Sequence, residues 1–68
     1  MNFLERRKAR RRARKLGEAY LNDHPEATEQ ELQRHIAGEM EKEGFDPFTL
    51  MTIILAIIKL IMELRRKN

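Results

Sequence analysis

Seventeen consecutive residues near the C-terminal end, FTLMTIILAIIKLIMEL (48–64), constrain everything else in this chain. Ten of them are Leu, Ile or Phe, and each would gain roughly 1.5–3 kcal/mol on full burial. At about 100° per residue, Thr49, Thr52, Ala56, Lys59, Glu63 and Arg66 fall on one stripe about 100° wide. The rest of the circumference from Leu50 to Leu64 is Leu, Ile or Met, a far wider apolar arc than an ordinary surface helix carries. The chain must therefore find something to lay against this segment.

Local signals divide the sequence into three helices. The first is expected over about 3–21 and ends at NDHP (22–25), because Pro25 drives His24 out of the α region. The second, about 29–43, opens on a capping box with Thr28 as N-cap and Glu31 at the third helical position. Gly44 supplies its left-handed stop. The third, about 47–65, opens on Asp46 as N-cap with Pro47 at the first position, where a missing N–H costs nothing. Phe45 and Leu50 stand at the spacing of a hydrophobic staple. Glu, Arg, Lys, Ala and Leu abound, while β-branched residues are scarce outside the Ile-rich segment. The expectation is an all-α protein of three helices, the last strongly apolar and assembly-forming. At 68 residues it is read as one small unit: a basic helix (1–21), an acidic turn and helix (22–46), and an apolar helix with a basic tail (47–68).

The first two helices offer little cover. Leu32, Ile36 and Met40 form a thin stripe on the second, and Ala9, Ala13, Leu16 and Tyr20 an even thinner one on the first. Surplus apolar surface on the third helix is thus expected to meet copies of itself, another protein, or lipid. The residues assigned to this assembly interface are Leu50, Ile53, Ile54, Leu55, Ile57, Ile58, Leu60 and Ile61. Lipid is the alternative. Pro47 to Leu64 would span about 27 Å against a hydrocarbon core of about 30 Å. A single crossing, however, cannot keep both basic ends on the cytoplasmic side. An interfacial helix avoids that conflict but needs a narrower apolar arc. Protein burial is the preferred expectation.

Charge is segregated along the chain. Residues 1–21 hold eight Lys or Arg and two acids, residues 22–48 hold two bases and eight acids, and residues 49–68 hold four bases and one acid. The basic set is Arg6, Arg7, Lys8, Arg10, Arg11, Arg12, Arg14 and Lys15. Such a density of like charge on one helix is self-repelling, and nucleic acid or anionic lipid headgroups would relieve it. Arginine outnumbers lysine, which favours phosphate contact. No aromatic residue interleaves the basic run, so base stacking is not expected.

Two resemblances accompany these readings. ERRKARRRARKLGEAY (5–20) resembles the arginine-rich helical RNA-binding peptides of phage antiterminators, over that segment only. FDPFTLMTIILAIIKLI (45–61) resembles the Asp-Pro-led, Ile-rich C-terminal helices of small proteins encoded by tailed bacteriophages, and covers roughly a third of the chain. The second resemblance implies a virion or host-membrane setting.

Catalytic signatures are missing. No nucleophile with a base, carboxylate pair or phosphate loop is recognisable, and the chain has no Cys, so thiolate metal sites and disulfides are excluded. No apolar leader precedes the basic run, and a secretory signal peptide is not expected. His35 lies four residues from both Glu31 and Glu39, a spacing better suited to a hydrogen-bonded surface His than to a metal site. Lys59 and Glu63 are expected to form a local ion pair. The reading is a non-enzymatic structural protein without cofactors, of virion type. It would assemble through the third helix and contact a polyanion, preferably nucleic acid, through the first, in a virion or in the cytoplasm. The alternatives are a small protein on the cytoplasmic face of a membrane and an arginine-rich RNA-binding regulator.

Overall fold

Three helices, α1 (Phe3–Asp23), α2 (Glu29–Lys42) and α3 (Pro47–Arg66), make up the computed structural model, which describes residues 3–66. Met1, Asn2, Lys67 and Asn68 lie outside the described residues, and Lys67 is one of the bases of the expected tail. Each helix packs on the other two in an up-down-up order, with α1 and α3 parallel and α2 antiparallel to both. Arg12 near the middle of α1 reaches Glu43 beyond the end of α2, and Gln33 of α2 reaches Met51 near the start of α3.

The boundaries follow from local chemistry. Thr28 closes the capping box: its Oγ1 accepts from the Glu31 amide at 3.2 Å, and its own amide donates to the Glu31 carboxylate at 3.0 Å. Beyond α2, Gly44 adopts φ 93°, a region that costs glycine nothing. Its N–H donates to the Glu41 carbonyl and that of Phe45 to the Met40 carbonyl, at 3.0 and 3.1 Å, which is the Schellman pattern. Asp46 then caps α3, accepting from the Thr49 hydroxyl at 2.6 Å and the Thr49 amide at 3.3 Å. At the other end of the bundle α1 runs two residues further than its punctuation suggests, since the His24 amide still donates to the Tyr20 carbonyl at 2.8 Å. The Arg65 guanidinium ties α3 back to the α1–α2 turn through the Pro25 carbonyl at 3.2 Å.

As expected, the first two helices do not cover all of α3, and the core sets how much of it they do cover. Leu50, Ile53, Ile54, Ile57, Ile58 and Ile61 are all buried, against Leu32, Ile36 and Met40 of α2 and Ala9, Ala13 and Leu21 of α1. The physical reason is the smallness of the α1 stripe. Ala9, Ala13 and Gly17 are all buried, so the α1 backbone sinks toward α3 and its own main chain covers the isoleucines. Of the ten Leu, Ile and Phe side chains in residues 48–64, only Phe48, Leu55, Leu60 and Leu64 stay exposed, joined by Met51.

Candidate binding surfaces

α1 keeps its entire basic set on the surface. Because it buries only Ala9, Ala13, Gly17 and Leu21, the side chains of Arg6, Arg7, Lys8, Arg10, Arg11, Arg12, Arg14 and Lys15 all point to solvent. Two of them are already neutralised. Arg12 forks onto Glu43, with Nε 3.0 and 2.9 Å from the two carboxylate oxygens and Nη2 2.8 Å from Oε2. This bond and the charge of Glu43 hold the Arg12 guanidinium above its ordinary range. Arg14 pairs with Glu18 one turn on, at 2.8 Å. Among the described residues, no carboxylate pairs with Arg6, Arg7, Lys8, Arg10, Arg11 or Lys15.

A groove opens where the first half of α1 passes α3. It encloses about 480 Å³ and is lined by Phe3, Arg6, Arg7 and Arg10 on one wall and Thr52, Ile53 and Ala56 on the other. The Arg7 guanidinium lies over the Phe3 ring, 5.9 Å from its centroid. Phe3 precedes Arg6, Arg7 and Arg10 by three, four and seven positions, the spacing that places residues on one helical face. An aromatic ring therefore does accompany the basic residues. It was missed because Phe3 stands before the run in sequence and joins it only through the helical repeat.

The surface open to a partner on α3 differs from the one expected. Of the eight residues assigned to the assembly interface, Leu50, Ile53, Ile54, Ile57, Ile58 and Ile61 belong to the chain's own core, and only Leu55 and Leu60 face outward. Phe48, Met51 and Leu64 complete the exposed apolar set, with Phe48 91% exposed. On the helical wheel these residues flank the Thr52, Lys59 and Glu63 stripe on both sides. Phe48 and Met51 also border an apolar groove of about 490 Å³ with Ala37, Pro47, Leu50 and Ile54, rimmed by Glu41. By length and composition α3 could cross a membrane, and 33% of the relevant stretch is buried inside the chain.

Other expectations resolve in place. His35 stacks on Tyr20 with ring centroids 4.3 Å apart, and Tyr20 also meets His24 at 4.6 Å. The ring contact replaces the hydrogen bonding expected from the flanking glutamates. Among the described residues, no cluster of three or more His, Asp or Glu side chains is placed to hold a metal ion. The Lys59–Glu63 ion pair does not form. Both side chains are exposed, where such a pair gains too little to fix two long side chains.

The chain matches no known family model, and no curated protein or solved structure is detectably similar to it.

Proposed function

We propose that this chain is a non-enzymatic binding and assembly protein in which α1 engages nucleic-acid phosphates while the exposed apolar residues of α3 dock on protein. The observation that carries the reading is the division of labour on α1. Its small residues are spent on the core, and six of its eight basic side chains have no carboxylate partner among the described residues. Uncompensated like charge on a rigid helix is relieved by a polyanion, and arginine suits phosphate oxygens through its planar fork of donors. The outward residues Phe48, Met51, Leu55, Leu60 and Leu64 supply the second contact. A virion-type component, placed between a protein shell and packaged nucleic acid, meets both demands at once.

Titration of nucleic acid across a range of salt concentrations tests the reading. Contact with about five phosphates gives a log–log slope of affinity on salt near −4 to −5. A flat salt dependence would overturn it. Strong preference for one RNA hairpin would instead identify a sequence-reading regulator.

A second reading is membrane association, favoured by the length and apolar composition of α3 and by how little of that stretch is buried. Its topology remains difficult, since both ends of the chain carry bases. Flotation with anionic vesicles separates the two: partition into the lipid fraction in the presence of competing nucleic acid would favour the membrane.

A further inference from the structure

We propose that the groove between α1 and α3 is a subsite for one unstacked nucleotide, so that the protein prefers single-stranded nucleic acid to duplex. The inference rests on the nucleic-acid reading above and names where and how the strand is held. Four features converge on the groove. Arg6 and Arg10, one helical turn apart, line it without a carboxylate partner among the described residues, and can take the phosphate. Phe3, 76% exposed, presents a ring with the Arg7 guanidinium over it, 5.9 Å from its centroid, and a nucleobase has a π-face for both. Ile53 and Ala56 give the opposite wall an apolar surface, and Ala56 is small enough to keep it open. Thr52 adds a hydroxyl whose proton is directed at the Thr49 carbonyl at 3.4 Å, so its lone pairs remain to accept from a base edge.

A duplex cannot use this arrangement without extruding a base, because its bases are stacked and their faces covered. It can still touch the outward row of Lys8, Arg11 and Lys15 through its phosphates. The groove's volume of about 480 Å³ lies within the range of small-molecule sites. Lipid is the competing occupant, since an anionic headgroup would satisfy the same arginines. The aromatic–guanidinium platform and the hydroxyl on the facing wall favour a planar polar ring over an acyl chain.

The test is fluorescence anisotropy on the full chain with a mixed-sequence 12-nucleotide single strand and a duplex carrying the same number of phosphates, at one salt concentration. The expected result is tighter single-strand binding by about tenfold, and loss of that advantage in Phe3→Ala, since stacking contributes about that factor per base. Ala56→Leu, which fills the groove from α3, should act likewise. Both positions are exposed, so circular dichroism should report an unchanged fold. Neither variant should alter the salt slope, because no phosphate contact is removed, whereas Arg10→Gln should lower it by about one. Equal affinity for the two forms, or no effect of Phe3→Ala and Ala56→Leu, overturns the subsite while leaving phosphate binding by α1 intact. Phe3-dependent binding to phosphatidylserine vesicles with no strand preference would also overturn it, assigning the groove to a headgroup. Absence of any nucleic-acid binding would remove the functional reading itself.

Discussion

Gly17 of α1 and Ile61 of α3 meet so closely that a Cβ added to the glycine would stand 2.8 Å from the Ile61 Cδ1, and 3.2 Å from the Ile36 Cδ1. This is where all three helices converge, and it sets how deeply α1 can sit on the isoleucine face. In Gly17→Ala, a gain of about 0.8–1 kcal/mol in helix propensity opposes the displacement of a flexible side-chain end. The net change should stay within about 1 kcal/mol. Gly17→Leu should destabilise by about 2–3 kcal/mol through overpacking, read from the urea midpoint. Full stability in the leucine variant would mean that the helices do not approach as described.

The two caps make stability depend on pH with a definite sign. The Thr28 amide and hydroxyl hold the Glu31 carboxyl below the usual carboxylate range, and the Thr49 hydroxyl and amide do the same for Asp46. Groups with a depressed folded pKa stabilise above the ordinary carboxylate pKa of about 4, and lose that contribution as pH falls through their folded values. Urea midpoints should therefore fall between about pH 5 and pH 2. In a Glu31→Gln, Asp46→Asn variant this part of the fall should vanish, with wild type the more stable at neutral pH and the two converging in acid. Thr28→Ala should cost about 1 kcal/mol at neutral pH through the lost cap.

Replacing Arg6, Arg7, Arg10 and Arg11 together with Gln should leave the fold intact, since all four are exposed and outside the ion pairs of α1. Nucleic-acid affinity should fall, and the salt slope should shrink by up to about four. Replacing Arg12 should instead loosen the contact between α1 and the end of α2 made through Glu43. Unchanged binding in the four-residue variant, measured by anisotropy, would exclude α1 as the polyanion face.

Phe48→Glu, Leu55→Lys and Leu60→Lys change only exposed side chains of α3. If these residues mediate association, sedimentation at micromolar concentration should show the triple variant shifted toward monomer, with helix content retained. A wild-type chain that sediments as a stable monomer without detergent would rule out self-association through this face.

Lys59 distinguishes protein from lipid around α3. In a bilayer, Lys59→Leu removes a charge costing up to about 2.5–3.5 kcal/mol at mid-depth, less toward the interface, and should strengthen partition into vesicles. In a protein assembly the same change should alter stoichiometry or partner choice while the chain stays out of the lipid fraction. Flotation and sedimentation of one variant give opposite answers for the two surroundings.

What the sequence determined by itself was the set of helices and their ends. Thr28, Glu31, Gly44, Asp46 and Pro47 act within a few residues of themselves, so their chemistry is readable without knowing the fold. The basic character of α1 was equally legible, because charge needs no tertiary partner to be counted. Tertiary structure alone decided which apolar residues remain outside. The width of the α3 arc identified a surplus, but its extent depended on how near α1 could come. That distance is set by Ala9, Ala13 and Gly17, whose contribution lies in what their side chains lack. Bringing Phe3 and the α1 arginines against Thr52, Ile53 and Ala56 likewise required the parallel docking of two helices, which joins residues more than forty positions apart in sequence, a relationship that no local pattern encodes.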